Sequence, residues 1–462
     1  MTRMSVRILC VAAALLLSPG AGPYSSQASA EKKASACATT PAAACAPKEA
    51  SACAPKEASA CAPKAGSASA SGAACATPCA SEGTSITVDP ARAASKAPSA
   101  GPTPADFGWK DLRSSLEPVR SKFRVPGLAA ALVQNGEIVA AGVTGVRKAG
   151  APARIELADR FHLGSCGKSF TATVAANLVA EGAISWETRL SDVFPELSSV
   201  MDPAYRSVTL GQLVTHRSGL PSLERPDSPL WRSVVSMRAP VGDQRQELVR
   251  LAVHEKPIAM PGSEFRYTDL GYAVAGRMLE RASGRSWEEL IRTRIAEPLG
   301  LTSIGFGAPG TRGKTDQPWG HRLDGKHARG IPPGPGADRA APVIAPAGTI
   351  HLSIADWARY AKFHLALARG ESPGKGPDLS ILHADPYGQG YAMGWAVTEQ
   401  PWAGGRLLSH TGSCGAWAAA IWIAPEVNAA IVVASNYGGP EGFAACQEVA
   451  MDLAKGFAAP TP

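Results

Sequence analysis

The stretch HLGSCGKSF, from His162 to Phe170, decides what fold and what chemistry this chain is expected to have. It places Ser165 three residues before Lys168, at the start of a segment with helical spacing. Apolar residues recur there at the helical period, at Phe170, Val174 and Leu178. A lysine one turn after a serine returns to the same helix face, where its amine can accept or relay the serine proton. The alternative is a serine N-cap followed by a solvated lysine.

The spacing alone does not separate these two readings, because it recurs at Ser29/Lys32 and at Ser372/Lys375. The first of these pairs lies at an expected signal-cleavage site and the second lies in a Pro-Gly loop. Only Ser165 begins a strong helix, where the positive helix end favours a reactive oxygen. Ser165 is therefore the candidate nucleophile. Whether it is a nucleophile or a helix cap depends on the motifs in the rest of the chain.

The composition narrows the classes of function. The chain has 462 residues and a formal net charge of +7, with ample apolar content for a sizeable core. No dense run of lysine and arginine with interleaved aromatic residues occurs, so we expect no nucleic-acid binding. No HExxH motif or clustered His/Asp ligands occur either, and we expect neither a metal nor another cofactor.

The N-terminal segment predicts export. Residues 1–30 contain a basic start, an apolar run that is too short to span a membrane, and a small-residue cleavage site at Ala28 to Ala30. Residues 31–104 are rich in Ala, Pro, Lys and Cys and contain an eight-residue repeat, CAPKEASA, from Cys45. A segment with so little to bury is expected to be a disordered linker. We therefore predict a periplasmic or extracellular protein, with the Cys-rich tail as a candidate tether to the cell envelope.

The catalytic body is expected at residues 105–458. Near its start, two strand-like runs flank Asn135-Gly136, a strong hairpin turn. Near its end, RLLSHTG, AWAAAIWIA and NAAIVVASN are three further strand-like runs, followed by a helix from Pro440 to Phe457. This order predicts an α/β (α+β) fold in which both chain ends build one antiparallel sheet flanked by helices. A mainly helical subdomain is inserted at roughly 170–345, and residues 305–348 are expected to form irregular surface loops.

Two more motifs strengthen the case for Ser165. Tyr267-Thr268-Asp269 precedes a helix about a hundred residues downstream, and His410-Thr411-Gly412 ends a strand. In this order and spacing the motifs resemble those of the penicillin-recognising serine hydrolases, in the branch of class C β-lactamases, D,D-peptidases, D-aminopeptidases and related esterases. Supporting stretches such as LVTHRSGLP and PAGTIHLSIADWARY resemble family segments that pack the two domains.

The resemblance implies a β-lactamase/transpeptidase-like fold and a role for each motif residue. Ser165 would attack a carbonyl to form an acyl-enzyme, and Lys168 and Tyr267 would share the proton transfers. The backbone N–H groups of Ser165 and Ser413 match the positions that bind the oxyanion. The implied substrate-binding positions are Asp269, His410, Thr411 and Gly412.

Two of these positions depart from the pattern of β-lactamases. Asp269 stands where the family usually has asparagine, and an ionised carboxylate only accepts hydrogen bonds. It would pair with Lys168, which disfavours β-lactams and favours ester-like or unusual amide substrates. His410 stands where many β-lactamases carry lysine. If it holds an anionic substrate group, that substrate is expected to bind more tightly below about pH 6.5.

Cysteine and histidine residues near the motifs leave alternatives open. Cys166 follows the nucleophile and Cys414 follows the third motif, so the two could form a disulfide in an exported protein. The alternative, which we favour, is two small buried side chains. Cys446 is most simply a core residue. His216, within THRSG, is interpreted as a hydrogen-bonded packing residue rather than a metal ligand.

The sequence therefore favours an exported serine hydrolase that cleaves an ester or a peptide-like amide through an acyl-serine intermediate. The expected substrate is a small-molecule or peptidoglycan-like acyl compound. Two alternatives remain. One is a surface binding protein that resembles penicillin-binding proteins and has lost turnover, which the aspartate at 269 supports. The other is a true β-lactamase.

Overall fold

The computed structural model describes residues 101–457, except for 224–227, 325–326, 335–336, 338–340 and 372–376. The predicted signal segment, almost all of the predicted linker, and the Ser29/Lys32 and Ser372/Lys375 spacings lie outside the described residues. Among the helices that are described, none is both long enough and apolar enough to cross a membrane.

The strands form one large sheet and two small ones. In chain order they are β1 (Lys110–Asp111), β2 (Gly127–Gln134), β3 (Glu137–Gly145), β4 (Arg160–His162), β5 (Gly305–Phe306), β6 (Gly320–Asp324), β7 (His327–Ile331), β8 (Ile350–Ser353), β9 (Ala396–Gln400), β10 (Gly405–Ser413), β11 (Ala418–Ala424) and β12 (Ala429–Ser435). The large sheet has the order β1-β3-β2-β12-β11-β10-β9. All its neighbours are antiparallel except β1 and β3. Strands from both ends of the chain therefore meet at β2 and β12, which confirms the predicted fold class.

The hairpin between β2 and β3 follows from its turn residues. Asn135 has a φ of 51° and Gly136 a φ of 75°. Positive φ at both central residues is the requirement of a type I′ turn, which Asn-Gly meets at low cost. This turn brings Gln134 opposite Glu137 and thereby sets the pairing of β2 with β3.

The two faces of the sheet bury different cores, because side chains alternate along each strand. On β11, Ala419, Ile421 and Ile423 face a core that the sheet shares with two helices, Gly167–Ala180 and Asp269–Ser283. On the opposite face, Ala418, Ala420 and Trp422 pack in a second core. Both faces are covered, so the central strands are apolar throughout rather than alternating.

The helices lie on both faces of the sheet and in the inserted region. They are α1 (Arg113–Phe123), α2 (Gly167–Ala180), α3 (Leu190–Val193), α4 (Leu210–Val214), α5 (Pro229–Ser236), α6 (Val241–His254), α7 (Asp269–Ser283), α8 (Trp287–Ile291), α9 (Glu297–Leu299), α10 (Ala341–Gly348), α11 (Ile354–Ala368) and α12 (Pro440–Ala454). Helices α1 and α12 cover one face of the sheet, and α11 covers the other. Helix α2 contacts α7, α8 and α10.

Helix α2 is the buried centre of the inserted region. Every residue from Gly167 to Ala176 is buried, so this helix is enclosed on all sides rather than amphipathic. It ends at Ala180, and Gly182 follows with a φ of 74°. A helix held on every side gives the residues at its N-terminus a fixed position.

The structure corrects two sequence-based expectations about local structure. The helical spacing from Trp109 to Phe123 predicts one helix, but α1 begins only at Arg113, because Lys110 and Asp111 pair with β3 as a short strand. Residues 305–348 are not all surface loop. They contain β5, the β6–β7 hairpin and α10, which packs against α7 and α2. The Gly and Pro content concealed an apolar run, Ala341 to Ala347, that forms a largely buried helix with a kink at Ile344.

Candidate active site

Four elements converge on Ser165. The serine lies in a short 3-10 turn, Gly164–Cys166, that leads directly into α2. The end of β10 packs against this turn, and the N-terminus of α7 and the C-terminus of α10 approach from the helical side. The alternative reading of Ser165 as a helix cap is wrong, because α2 has no side-chain cap hydrogen bond.

Glycines allow β10 and the serine turn to approach closely. Gly164 has a φ of 52°, and a Cβ there would lie 2.2 Å from the backbone N of Ser413. A Cβ on Gly412 would lie 1.9 Å from the carbonyl oxygen of Leu163. Only residues without a side chain fit at these two positions. The backbone around Ser413 is therefore held directly against the turn that carries Ser165.

Lys168 links the nucleophile to its surroundings. Its Nζ lies 3.1 Å from Ser165 Oγ, 2.5 Å from Asp269 Oδ1 and 2.9 Å from the carbonyl oxygen of Ala347. The Lys168 side chain is fully buried. An ammonium has three protons to donate, and these three acceptors use all of them. In this arrangement Lys168 is the donor to Ser165, and a different group has to take the serine proton.

Tyr267 lies beside this lysine. Lys168 Nζ is 4.8 Å from the centre of the Tyr267 ring. The ring of His216 packs against the Tyr267 ring, with the ring centres 4.2 Å apart. The structure thus brings together Ser165, Lys168 and Tyr267, the three residues predicted to carry the chemistry.

A chain of hydrogen bonds behind Tyr267 determines which ring nitrogens carry protons. The backbone N–H of Thr268 donates to His216 Nδ1 over 3.2 Å, so the proton of neutral His216 is on Nε2. His216 Nε2 lies 3.2 Å from the hydroxyl of Tyr391, and His410 Nε2 lies 3.4 Å from the same hydroxyl. His410 Nδ1 lies 2.5 Å from the carbonyl oxygen of Thr411, which only accepts, so this nitrogen carries the proton.

The direction of the chain follows from these assignments. His216 donates to Tyr391, Tyr391 donates to His410, and His410 donates to Thr411. Both ring nitrogens of His410 are therefore occupied within the protein. Burial, with a further contribution from the positive charge of Lys168, lowers the pKa of His410 to about 4. Burial also holds the pKa of His216 well below its usual range.

The low pKa overturns the expected pH dependence at His410. A group with a pKa of about 4 is neutral from pH 5 to pH 8 and gains charge only below that range. Tighter binding of an anionic substrate through His410 is therefore not expected to begin near pH 6.5. The sequence could not show this, since the shift comes from burial and from a lysine distant in the chain.

Comparison with known proteins agrees with this geometry. Residues 112–455 match the family described as Beta-lactamase, which is well over half of the chain. The chain belongs to the beta-lactamase family. Its fold is that of the penicillin-recognising serine hydrolases, as the motifs predicted.

Individual relatives of this beta-lactamase family member are distant. It is 26% identical to Penicillin-binding protein 4 of Amycolatopsis lactamdurans over 357 residues, which cover 73% of this chain and 87% of that protein. It is 23% identical to Protein flp of Staphylococcus aureus strain COL, covering 71% of this chain and 63% of that protein. Among solved structures, an octameric penicillin-binding protein homologue from Pyrococcus abyssi matches with a TM-score of 0.59 and 28% identity. That match covers 74% of this chain and 76% of the homologue.

Within the described part of the chain, Cys166, Cys414 and Cys446 are free thiols, so the alternative of a Cys166–Cys414 disulfide is not what the structure contains. Cys166 is buried, and its Sγ lies 3.5 Å from the carbonyl oxygen of His410. Its side chain is thus directed into the protein, and burial raises the pKa of this thiol. Cys446 is buried in the core beneath β11, as predicted.

Two residues of the site were not found from the sequence. Ala347 contributes only a backbone carbonyl oxygen, to Lys168, and a backbone group leaves no signal in its own residue type. Tyr391 contacts two histidines that lie 175 and 19 residues away in the chain. The signal for it was weak, an aromatic residue in a Gly-rich segment. His216 is the hydrogen-bonded packing residue that was expected.

The hydrogen-bond chain predicts the effect of Tyr391→Phe. This variant keeps the ring and removes the hydroxyl that accepts from His216 and donates to His410. We expect a loss of about 1–3 kcal/mol in the free energy of unfolding. We also expect a higher pKa for His410, since the neutral ring loses its donor. Nitrogen-15 NMR of the histidine rings measures both tautomer and pKa, and Tyr437→Phe on the far side of the sheet is the control. An unchanged titration of His410 in Tyr391→Phe would contradict the chain.

Proposed function

We propose that this protein is a serine hydrolase that cleaves an ester or a peptide-like amide bond through an acyl-serine intermediate. The observation that carries the proposal is the contact of 3.1 Å between Lys168 Nζ and Ser165 Oγ. The lysine is held there by two further acceptors, in a fully buried position at the start of an enclosed helix. A solvated surface lysine would have none of these constraints.

The proton transfers follow from the donors and acceptors. Lys168 donates to Ser165 Oγ, so the serine proton passes to the oxygen of Tyr267, whose ionised form the adjacent ammonium stabilises. Ser165 Oγ forms a bond to the substrate carbonyl carbon, and the bond from that carbon to the leaving group breaks. The proton held by Tyr267 goes to the leaving group. A water molecule then attacks the acyl-serine in the same way. Tyr267 takes a proton from the water and returns it to Ser165 Oγ as the bond to the acyl carbon breaks, and the acid is released.

Negative charge on the carbonyl oxygen needs donors that are already in place. The backbone N–H groups of Ser165 and Ser413 are proposed for this role. Support comes from the close packing of β10 on the serine turn, which only Gly164 and Gly412 permit. The N-terminus of α2 adds a favourable partial positive charge.

Two alternative functions predict different fates for the acyl group. A penicillin-binding-like protein without turnover would acylate Ser165 and keep the adduct, and the name of the Amycolatopsis relative favours testing this. A β-lactamase would acylate with a β-lactam and release it rapidly. The intact arrangement of Ser165, Lys168 and Tyr267 favours turnover over simple binding.

We further propose that the protein is exported and acts on a small-molecule or peptidoglycan-like acyl substrate outside the cytoplasm. The pattern of residues 1–30 supports export, and the Cys-rich repeats from Cys45 support a tether to the cell envelope. The chain as isolated from cells is then expected to begin at Glu31.

Intact mass spectrometry of the protein from cells tests these proposals together. The protein is mixed with a penicillin and, separately, with an activated acyl ester, and the mass is followed with time. We expect an acyl adduct that maps to the peptide containing Ser165 and decays as the product appears. The same spectrum reports whether the N-terminus is at Glu31.

Ser165→Ala is the control for this experiment, and it should remove both the adduct and the turnover. An adduct that never decays would favour the binding protein, and rapid loss of penicillin would favour a β-lactamase. Turnover that persists in Ser165→Ala, with no adduct in the unaltered protein, would refute the acyl-serine mechanism.

A further inference from the structure

One residue, His216, holds the backbone on both sides of Tyr267. The backbone N–H of Arg266 donates to the carbonyl oxygen of His216 over 2.7 Å. The backbone N–H of Thr268 donates to His216 Nδ1 over 3.2 Å. The ring of His216 also packs against the ring of Tyr267, with the ring centres 4.2 Å apart. Tyr267 is therefore fixed through the peptide group before it, the peptide group after it and its own ring, by a residue that follows α4.

The backbone of His216 has a conformation that is uncommon for its residue type. Its φ is 57°, in the left-handed region that few residues other than glycine adopt. The side chain is fully buried, and its ring contacts the aromatic rings of Phe265, Tyr267, Tyr272 and Tyr391. A strained backbone of this kind persists where the surrounding structure determines it, and such positions cluster at active sites. The conformation of His216 thus points to a role in the site and not in the core alone.

The position of Tyr267 matters because the proposed mechanism passes a proton through its oxygen. The phenol has to lie within reach of Ser165 Oγ and beside the ammonium of Lys168, which is 4.8 Å from the ring centre. The oxygen is at the end of the side chain, so a small rotation of the backbone is amplified there. A misplacement of about 1 Å in a reacting group can cost about 10²-fold in rate. Contacts that hold the peptide groups on both sides of Tyr267 limit this rotation.

We infer that His216 is a positioning residue for Tyr267: its carbonyl oxygen and its Nδ1 hold the two peptide groups that set where the phenol lies. This inference rests on the proposed acyl-serine function. His216 acts through Tyr267 and transfers no proton itself. Its ring stays neutral and Nδ1 stays an acceptor near neutral pH, because burial, and then the charge of Lys168, hold the pKa of His216 well below its usual range.

Two variants of the full-length protein separate the contributions of the two ring nitrogens. In His216→Asn, the side-chain oxygen takes the place of Nδ1 and can accept from Thr268, and asparagine tolerates a positive φ. In His216→Gln, the side-chain amide reaches the place of Nε2. It can donate to Tyr391, but the N–H of Thr268 loses its acceptor.

The hydrolysis of p-nitrophenyl acetate is measured as a function of pH for each variant, and thermal unfolding is measured beside it. His321→Asn is the matched control. The ring of His321 is also fully buried, and its Nε2 accepts a backbone N–H, that of Ala149, over 2.9 Å. The control therefore removes the same kind of contact away from Tyr267.

We expect His216→Gln to lower kcat/KM by about 10²-fold and to move the rising limb of its pH profile to higher pH. The limb moves because a displaced Tyr267 lies farther from the ammonium of Lys168, which stabilises its ionised form. His216→Asn should retain at least about ten times the kcat/KM of His216→Gln, and it should keep the original pH profile. His321→Asn should lower the unfolding temperature and leave the pH profile unchanged.

Several results would refute the positioning role. If kcat/KM of His216→Gln equals or exceeds that of His216→Asn, the contact of Nδ1 with Thr268 is not required. If both variants lose activity without any shift in the pH profile, as a loss of stability alone would produce, the role of His216 is only structural. Nitrogen-15 NMR of the unaltered protein needs no variant to fold. Nδ1 of His216 should carry no proton at neutral pH, and a proton there would contradict the inference.

The outcomes also separate this inference from the proposed function. If turnover depends on Ser165 but the His216 variants behave like His321→Asn, the positioning role is refuted and the hydrolase remains. If Ser165 takes no acyl group from any probe, the proposed function fails, and the inference fails with it.

Discussion

Replacing Lys168 with methionine is expected to lower kcat/KM by a factor of about 10³. Methionine has a similar length and fits a buried position, so the change removes the charge and little volume. Ser165 then loses the donor at 3.1 Å that orients its oxygen, and the Tyr267 ring loses the cation 4.8 Å from its centre. Steady-state kinetics with an activated ester measures the loss, and thermal unfolding shows whether the variant is folded.

Two further variants make this prediction specific. Lys362→Met removes a lysine of the protein surface that pairs with Glu137, and it should leave kcat/KM unchanged. The double variant with Lys168→Met and Asp269→Asn removes the carboxylate that the first change leaves unpaired. It should recover part of the stability and none of the activity, because a partly buried carboxylate is costly without its partner. If Lys168→Met alone kept more than a tenth of the original activity, Lys168 would not be part of the catalytic machinery.

The main strands of the large sheet and the β2–β3 turn could be predicted because they depend on local signals. The run EIVAAGVTG became β3 from Glu137 to Gly145, and Asn135-Gly136 formed the predicted turn. The C-terminal strands β10, β11 and β12 agree with the predicted runs to within two residues at each end. When a short apolar run is bounded by turn residues, those residues mark where the strand begins and ends.

Prediction failed where packing determines local structure. The segment WEELIRTRIAEPLG, from Trp287 to Gly300, has the pattern of one helix with Ser286 as its N-cap, and Ser286 does cap it. The structure divides the segment into α8, a wider turn at Arg292–Ala296 and α9. The buried helix α10 was missed because its glycines and prolines resemble those of a loop. Neither result can be derived from residue propensities, since contacts with distant elements decide both.

The candidate site shows the same division between local and distant signals. The motifs located Ser165, Lys168, Tyr267 and Asp269, and the predicted pairing of Asp269 with Lys168 is present at 2.5 Å. The charge of His410 was misjudged, because its pKa depends on burial and on neighbours from other elements. Tyr391 was missed for the same reason. Motif residues can be recognised from sequence, whereas their protonation states require the surrounding structure.

The contact between β10 and the turn that carries Ser165 explains why the motif His410-Thr411-Gly412 ends in glycine. It also predicts a large effect for Gly412→Ala. The added Cβ would lie 1.9 Å from the carbonyl oxygen of Leu163 and 3.0 Å from the backbone N of Cys166. Both neighbours are backbone atoms of the turn that holds Ser165, so they cannot move aside as a side chain can. The strand has to shift away, and the N–H of Ser413 moves with it.

We expect Gly412→Ala to lower kcat/KM by at least about 10²–10³, the effect of losing one oxyanion donor. Overpacking should also cost about 1–3 kcal/mol in the free energy of unfolding. Gly456→Ala is the control, because a Cβ there has no atom within 4 Å and both properties should stay unchanged. Gly164→Ala creates the same clash from the other side, 2.2 Å from the backbone N of Ser413, and should give a similar loss. Activity within threefold of the original in both active-site glycine variants would show that the close approach of β10 to Ser165 is not required for catalysis.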